Sequence, residues 1–449
     1  MLQKVPAYAN KIYYSLGFLS MTSFFILLLS GLVLVLFGPA WWLTSPSGIY
    51  FRSVHLWATQ AFILFIFLHL LIIFLTSGYK PPRRLTWVIG AFMLFFVLME
   101  AEFGYGLRGD FSSQWRVLQA SDLYNGSGLG RLVNNLNYGQ IYGIHIIFIP
   151  LGILVLLFLH YLLVKILGIA KPHKPEVKYR VVQANHKVLF LRGAILATVI
   201  IILAKIFPSP FILPTTIADI AKSDSSLVAA TLVKELAHTS DTATYSDNID
   251  PYTYDTAQVY VIQPYQQLLQ AQTFADSLAM FNIQDKITQQ TELQSAADYF
   301  SNNGQTNPQD QNPAIAVASS LANMAKGGLY EAALQKEVSQ GDNRTFITRF
   351  LADTGIMDAK AQDLKMTTDQ YGMLREEKGV LPPGAWWLAP LGVLDHTILA
   401  NDPNQDRDGA EILGLMVLLL IAFPYIPYLS RLPEKIGLDK FIWKEAIKK

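Results

Sequence analysis

Six apolar stretches alternate with polar segments along this chain. Each is long enough to cross a bilayer, for which an α-helix needs about 20 apolar residues. The pattern therefore predicts six transmembrane helices, over residues 16–37, 53–75, 85–103, 139–167, 188–206 and 411–429. The last is expected to bend at Pro424 and Pro427, because proline lacks the N–H that continues a helix.

The second and fourth stretches each carry two histidines on one helix face. His55 and His69 lie 14 residues apart, and His145 and His160 lie 15 apart. At about 100° per residue, both spacings fall within about 60° of whole turns. At about 1.5 Å rise per residue, the two histidines of one helix are about 21–22 Å apart, near opposite membrane faces. Side by side, the two helices would pair His55 with His145 and His69 with His160.

These pairs indicate haem iron, because neutral imidazole is a common axial ligand and an ionisable side chain inside a membrane needs a partner. We predict two haems, with His55 and His145 on an outer iron and His69 and His160 on an inner iron. The alternative is that a backbone carbonyl or a hydroxyl satisfies each histidine separately.

Composition narrows the class of protein and of cofactor. Hydrophobic residues make up 52% of the chain and charged residues 15%, which indicates a membrane protein with a sizeable polar part. The chain has no cysteine, which excludes disulfides, cysteine-ligated iron–sulfur clusters and thioether-linked haem. The haems are therefore predicted to be non-covalent haem b. No cleavable signal peptide is expected, because the first apolar run is too long.

Charge divides the chain into two parts. Residues 209–408 carry 12 Lys+Arg against 25 Asp+Glu (net −13), and the remainder carries 23 against 9 (net +14). The basic segments 77–84, 165–187 and 431–449 all fall on one side of a six-span topology, and that side is predicted to be cytoplasmic. We therefore expect a multi-pass membrane protein with both termini in the cytoplasm and residues 209–408, called the insertion below, outside.

The polar segments carry weaker signals. The insertion is predicted to be a mostly helical domain, with helices near 219–238, 265–282 and 314–339 and a disordered patch near 302–312. A loop with Trp41, Trp42 and Tyr50 after the first span is typical of a membrane interface. Short surface helices are expected over 108–138.

The four-span part, about residues 12–171, resembles the cytochrome b of the cytochrome bc and bf (Rieske–cytochrome b) complexes, with the plastid-type histidine spacing. Besides the histidines, the resemblance rests on the passage FLTSGYKPPRRLTW (74–87) and on Gly17, Gly31, Gly90 and Gly104. It implies that these glycines let a haem lie against the helix and that Arg52 binds a haem propionate. The fifth and sixth spans resemble the start of the family's C-terminal half more loosely.

The chain departs from the family at the outer quinol site. LPPGAWWLAP (381–390) lies where the family has Pro-Glu-Trp-Tyr, and Pro383 or Gly384 replaces the glutamate that takes a proton from quinol. GYGLRGDFSSQW (104–115) echoes the family only in its glycine, its tyrosine, Asp110 and Trp115.

Two further departures concern haem contacts. Gln140 stands in place of a family arginine. Ser15 stands where the plastid type attaches an extra haem through cysteine, so that covalent haem is not expected on this chain.

Other residues are candidates to take over the proton transfer. Glu100 and Glu102 lie near the outer end of the third span, with Glu100 one turn from Gly104. Asp395 and His396 follow the LPPGAWWLAP segment. The alternative for all four is a structural role, such as pairing with Arg108 or hydrogen bonding near a propionate. Lys165 matches a basic residue near the family's inner quinone site, although a lysine at a helix end also snorkels to the membrane surface.

We thus expect an all-α integral membrane protein in four parts. They are a four-helix di-haem domain (1–187), a fifth transmembrane helix (188–208), the acidic insertion (209–408), and a sixth helix with a basic tail (409–449).

The predicted function is that of the di-haem cytochrome b subunit of a bacterial quinol:cytochrome c oxidoreductase. The resemblance implies ubiquinone or menaquinone as substrate, a separate Rieske iron–sulfur protein and c-type cytochrome, membrane lipid and a dimeric complex, without nucleic acid. The alternative is a non-bifurcating conduit that links the quinone pool to an outer multihaem or other redox partner. A third hypothesis makes the insertion a structural spacer.

Overall fold

The computed structural model describes residues 4–170, 181–248, 254–269, 275–336, 344–367 and 384–437. Regular structure in these ranges is helical, apart from one short antiparallel pair of β1 (Lys4–Pro6) with β2 (Val181–Gln183). The predicted all-α fold is confirmed. Pro383, the basic residues 171–180 and the tail from 438 onward lie outside the described residues.

Six helices among the described residues are long and apolar enough to span a membrane, as predicted. They are α1 (Leu16–Thr44), α2 (Pro46–Leu75), α3 (Arg84–Gly106), the continuous stretch Tyr138–Leu167, α7 (His186–Ile206) and α19 (Gln405–Ala422). The fourth of these joins α5 (Tyr138–Gly143), a π-helical turn (Ile144–Phe148) and α6 (Ile149–Leu167).

The first membrane helix is longer than expected, and the predicted aromatic loop after it is helical. α1 continues to Thr44 beyond a break at Gly38, whose φ of +75° favours glycine. Trp41 and Trp42 therefore lie on the last turns of α1, and Tyr50 lies on α2. The loop prediction was wrong because the two helices meet in a tight hairpin at Ser45, whose hydroxyl caps α2 by accepting from Gly48 N–H at 2.9 Å.

The sixth membrane helix ends at its prolines instead of bending there. α19 stops at Ala422, and Phe423–Tyr425 form a 3-10 turn. In a continuing helix, the carbonyl of Leu420 would accept from residue 424, but Pro424 has no N–H. That carbonyl accepts instead from Trp87 Nε1 at 2.7 Å. The predicted bend and the predicted end at 429 were therefore wrong.

The membrane helices pack mainly as pairs. α1 lies along α2 and α3 lies along α6, while α7 contacts α1 and α2, and α19 contacts α3. Large apolar side chains point away from this bundle, as Phe148 at 73% exposure and Ile166 at 69% illustrate. Such outward apolar faces suit helices that meet lipid.

The insertion folds into a helical domain together with one helix from the four-span part. That helix is α4 (Phe111–Gly126). Before residue 384, the described residues of the insertion form a π-helical turn (Gln258–Ile262) and the α-helices α8 (Ile217–Ser223), α9 (Ser225–Leu236), α10 (Asp241–Asn248), α11 (Gln263–Leu269), α12 (Ala275–Ile283), α13 (Lys286–Ser301), α14 (Pro313–Lys326), α15 (Leu329–Lys336), α16 (Thr345–Asp353) and α17 (Ile356–Asp363). α18 (Ala389–His396) leads to α19, and α20 (Leu432–Ile436) follows it. The mostly helical insertion is thus confirmed.

α14 is the centre of the insertion. It contacts α8, α9, α12, α13 and α15, and almost all of its side chains are buried. Its small residues, such as Ala318 and Ala322, allow neighbouring helices to approach closely. The loop before it is held by Asn312, whose side chain donates to Glu292 O and accepts from Ala314 N–H, both at 2.9 Å. The prediction of a disordered patch near 302–312 was therefore wrong.

α4 is buried, whereas the sequence suggested a surface position for it. Phe111, Trp115 and Leu118 belong to the core of the insertion. Trp115 Nε1 donates to Met366 O at 2.9 Å. Asp110 starts the helix with a capping box, in which its carboxylate accepts from Ser113 N–H. The surface prediction was wrong because the partners of this apolar face are distant in sequence.

Candidate functional site

The four membrane histidines lie on two facing helical segments. His55 and His69 are on α2, His145 is in the π-helical turn, and His160 is on α6. The ring centroids of His55 and His145 are 6.3 Å apart. Two rings that each place a nitrogen about 2 Å from one metal, on opposite sides of it, have their centres about 6 Å apart. His69 and His160 are near enough to interact electrostatically.

Each of the four glycines singled out in the sequence faces one of these histidines. A Cβ added at Gly17, Gly31 or Gly90 would lie 3.3 Å from the Cε1 atom of His69, His55 or His160, respectively. At Gly104 the distance to His145 Cε1 would be only 2.8 Å. Larger side chains at these positions would compete with the imidazoles for space. Close packing against the histidines therefore explains why glycine occupies them.

One cavity of about 620 Å³ surrounds the outer histidine pair. This volume is within the range of about 300–1,000 Å³ for small-molecule and cofactor sites. Its wall is mostly apolar, and its charged or imidazole groups are His55, His145, Arg52, Arg108 and Glu100. These residues fit a haem, because they offer nitrogen ligands for iron, an apolar wall for the ring and guanidinium groups for propionates.

Both outer imidazoles are held through Nδ1. Ser30 Oγ donates to Ile26 O at 2.7 Å and lies 3.0 Å from His55 Nδ1, from which it can accept. His145 Nδ1 lies 3.0 Å from Glu100 Oε1 and 3.2 Å from the backbone oxygen of Glu100. Hydrogen bonds at Nδ1 leave Nε2 as the ligating atom of each ring. Ser30 escaped sequence reasoning, although it immediately precedes Gly31 on the same helix.

The two arginines also hold the chain that enters the insertion. Arg52 donates to Ser209 O at 3.1 Å and to Pro210 O at 3.4 Å. Arg108 donates to Pro210 O at 2.8 Å and pairs with Asp110 Oδ2 at 2.8 Å. The first residues of the insertion are thus fixed beside the cavity.

Glu102 lies away from the histidines. It interacts electrostatically with Arg116 of α4, whose guanidinium lies 4.4 Å from the centre of the Tyr105 ring. Its Oε2 atom is buried and accepts no hydrogen bond from any described residue. The two glutamates, predicted as equivalent, therefore have different surroundings.

The LPPGAWWLAP segment contacts α2 and α3 from Gly384 onward. Gln60 Nε2 donates to Gly384 O at 3.3 Å and to the Tyr105 hydroxyl at 3.2 Å, and Gln60 Oε1 accepts from Trp386 Nε1 at 2.8 Å. Trp387 is buried, with its ring 6.0 Å from that of Tyr105. Gln60 was also missed in the sequence, although it is a polar residue in the middle of an apolar span.

The remaining predicted residues are not part of this cavity. His396 Nδ1 is 2.8 Å from Gly392 O at the end of α18 and does not line the cavity. Asp395, its neighbour, accepts through its backbone oxygen from Gln405 Nε2 at 3.2 Å. Lys165 is exposed near the end of α6.

The two family departures outside the quinol site have local roles. Gln140 accepts from Asn134 N–H at 2.8 Å and donates to Leu132 O at 3.1 Å, so it holds the preceding loop. Ser15 Oγ accepts from Arg192 of α7 at 2.5 Å. The fifth membrane helix is therefore hydrogen-bonded to Ser15.

Comparisons with known proteins found a family model, relatives and a solved structure that are similar to this chain. The family model described as “Cytochrome b(N-terminal)/b6/petB” matches residues 60–214. “Cytochrome b6” of Heliobacterium mobile is 30% identical over 190 residues, which cover 37% of this chain and 89% of the relative. “Cytochrome b6” of Synechococcus elongatus is 28% identical over 190 residues, with 37% and 88% covered. A solved structure, “Hyperthermophilic respiratory Complex III”, is similar at 17% identity and a TM-score of 0.38, over 74% of this chain and 92% of that chain.

Proposed function

This chain belongs to the cytochrome b family, and on that premise we propose that it is the di-haem, electron-carrying subunit of a bacterial quinol:cytochrome c oxidoreductase. The observation that carries the proposal is the match of four histidines with four glycines, each glycine facing one imidazole. A separate structural role for each histidine does not explain why both outer rings border one cavity with Arg52 and Arg108.

Two haem b groups would be held by His55 with His145 and by His69 with His160, and each would supply reversible one-electron transfer when bound. The histidines of α2 are separated by about 21 Å at about 1.5 Å per residue, which suits two sites near opposite membrane faces. Arg52 and Arg108 would bind the propionates of the outer group. Gly17 and Gly90 would serve the inner group as Gly31 and Gly104 serve the outer one.

At the outer quinol site, Glu102 is the favoured proton acceptor. Like Glu100, it has a buried carboxylate oxygen without a hydrogen-bond partner among the described residues, and it interacts electrostatically with Arg116. It also lies three residues before Tyr105, which contacts the Gly384–Trp387 segment through Gln60 and ring packing. Glu100 is less suited, because its carboxylate is engaged with His145. His396 is proposed as a second proton acceptor only from its place after the LPPGAWWLAP segment. Lys165 is proposed as a residue of the inner quinone site only from the resemblance.

The proposal extends to partners and location. A Rieske iron–sulfur protein and a c-type cytochrome, which can be multihaem, would be separate subunits of a dimeric complex. We propose the bacterial inner membrane as its location, with both termini cytoplasmic and the acidic insertion outside. The quinone would be ubiquinone or menaquinone.

A second function is favoured by one observation. Pro383 or Gly384 replaces the family glutamate, and the described part of that segment contributes no carboxylate near Gln60. If the outer site does not oxidise quinol, the chain would be a non-bifurcating conduit between the quinone pool and an outer redox partner docked on the insertion.

The test is a haem count on the purified full-length protein by pyridine haemochrome, combined with a redox titration. We expect two b haems per chain with separate potentials, one fewer in His145→Ala and in His160→Ala, and two in His238→Ala, an exposed histidine of the insertion. One haem or none in the unaltered protein would refute the di-haem proposal.

A second measurement separates the two functions. In the intact complex, Glu102→Gln should lower quinol-dependent cytochrome c reduction at least tenfold while both haems remain. Full activity in this variant would remove Glu102 as the proton acceptor. Absence of quinol oxidation in the unaltered complex would favour the conduit.

A further inference from the structure

Glu100 contacts a haem ligand through two atoms of the same residue. Its carboxylate oxygen Oε1 and its backbone oxygen lie 3.0 Å and 3.2 Å from His145 Nδ1. One N–H can be shared between two such acceptors. One helical turn later, Gly104 lies against the same ring, where an added Cβ would be only 2.8 Å from Cε1. Residues 100 and 104 lie on the same face of α3. This face thus contacts both the Nδ1 and the Cε1 atoms of the His145 ring.

The backbone around His145 also departs from a regular helix. The π-helical turn Ile144–Phe148 closes when Ile149 N–H donates to Ile144 O, five residues earlier. A π-helical turn is wider than an α-helical one and is frequent at functional sites. Pro150 follows directly and cannot supply an α-helical donor to residue 146. The His145 ring that contacts α3 therefore lies on an irregular stretch of backbone.

The opposite ligand has a neutral partner. His55 Nδ1 faces the hydroxyl of Ser30 at 3.0 Å, and that hydroxyl is itself oriented by its hydrogen bond to Ile26 O at 2.7 Å. Within the described residues, neither His69 nor His160 forms an ion pair with a carboxylate. The carboxylate contact is thus specific to one of the four described histidine ligands.

We propose that Glu100 is a positioning residue that lowers the midpoint potential of the outer haem through His145. This inference rests on the proposed di-haem function. A carboxylate that accepts from Nδ1–H makes the imidazole a stronger donor to the metal, which favours ferric over ferrous iron. The negative charge also opposes the arrival of an electron in a poorly screened site. Both effects lower the midpoint potential of this haem.

The proposal assigns Glu100 a role other than proton uptake from quinol. It also makes the two outer ligands chemically unequal, because one carries a charged and the other a neutral hydrogen-bond partner. Replacing the charge should therefore alter one haem and leave the other unchanged. Glu102 supplies the matched control, since it lies two residues later on the same helix and interacts with Arg116 instead of a histidine.

The experiment is a redox titration of the full-length protein in its complex, monitored by visible and EPR spectra. Glu100→Gln keeps the shape of the side chain and removes its charge. We expect the reduction equilibrium of one haem to shift at least tenfold toward the ferrous form, which equals 59 mV for one electron. That component must be the one lost in His145→Ala. Its low-spin EPR signal should shift as well, while Glu102→Gln leaves both components unchanged.

Glu100→Asp keeps the charge and shortens the reach, so it should shift the same component less than Glu100→Gln does. If Glu100→Gln fails to retain the haem, this second variant still has to show an upward shift and an altered EPR signal. Unchanged potentials, or equal shifts of both haems, with two haems bound would overturn the inference and leave the proposed function intact. Fewer than two haems in the unaltered protein would instead defeat the proposed function.

Discussion

The membrane bundle and the insertion use their interiors differently. In the insertion, α14 is surrounded by other helices and its side chains fill the core. In the bundle, glycines and histidines face a cavity of about 620 Å³, and large apolar side chains point outward. Protein interiors are normally close-packed. A helical bundle whose glycines and histidines border a cavity is therefore organised around a ligand site as much as around its own core.

The largest expected effect comes from filling the interior of the bundle. Gly104→Leu would place a branched side chain where a Cβ alone lies 2.8 Å from the His145 ring. We expect this variant to lose one of the two haems, as measured by pyridine haemochrome. Gly152→Leu is the matched control, because a Cβ there meets no heavy atom within 4 Å. Equal haem loss in both variants would mean that bulk anywhere in the bundle is harmful and that Gly104 has no special role.

The second prediction removes a core residue shared by the two regions. Trp115→Ala deletes a buried ring and its hydrogen bond to Met366 O, which should lower the free energy of unfolding of the insertion by about 3–5 kcal/mol. Pulse proteolysis of the full-length protein can measure this change. Leu329→Ala, at a side chain 51% exposed, should change the same quantity by less than about 0.5 kcal/mol. A near-neutral Trp115→Ala would show that α4 is not part of the insertion core.

The third prediction concerns a charge buried in the insertion. Burial and the neighbouring Asp353 carboxylate raise the pKa of Glu235 to about 9. Ser240 donates to Glu235 Oε2 at 2.7 Å. The folded state therefore keeps a proton that the unfolded chain loses near pH 4.5, its ordinary value. The contribution of the Glu235 proton to the free energy of unfolding is fully present below about pH 4.5, and it decreases as the pH rises toward about 9.

The measurement is the free energy of unfolding of the insertion between pH 5.5 and 8.5. A difference of one bound proton gives a slope of up to about 1.4 kcal/mol per pH unit. Glu235→Gln should flatten this slope, whereas Asp298→Asn, at an exposed position on α13, should keep it. A slope that survives Glu235→Gln would locate the titrating group elsewhere.

The sequence predicted the membrane part well, because the bilayer makes strong local demands. Apolar runs, histidine spacing and the four glycines are visible within single helices, so the six spans and the family could be inferred from them. The end of α19 could not be inferred, because it depends on a hydrogen bond that Trp87 Nε1 donates to Leu420 O. Trp87 lies more than 300 residues earlier in the chain.

The site was predicted less completely for a similar reason. Spacing placed Glu100 and Glu102 at the same end of α3, but their roles depend on neighbours from other elements, His145 for one and Arg116 for the other. The burial of α4 likewise depends on partners such as Met366, which lie about 250 residues further along the chain. Long-range partners of polar side chains leave no periodic trace in a sequence.

The hydrogen bond that Arg52 donates to Ser209 O has a consequence for biosynthesis. The two residues are 157 positions apart, which corresponds to roughly 10–30 s of translation at about 5–20 residues per second. During that interval the wall formed by Arg52 with Ser209 and Pro210 does not yet exist. The last of the four histidines, His160, precedes Ser209 by 49 positions, so all four are present for roughly the final 2–10 s at the same rate. The order of the chain therefore provides a period in which a cofactor can enter the outer pocket sideways before its last wall is in place.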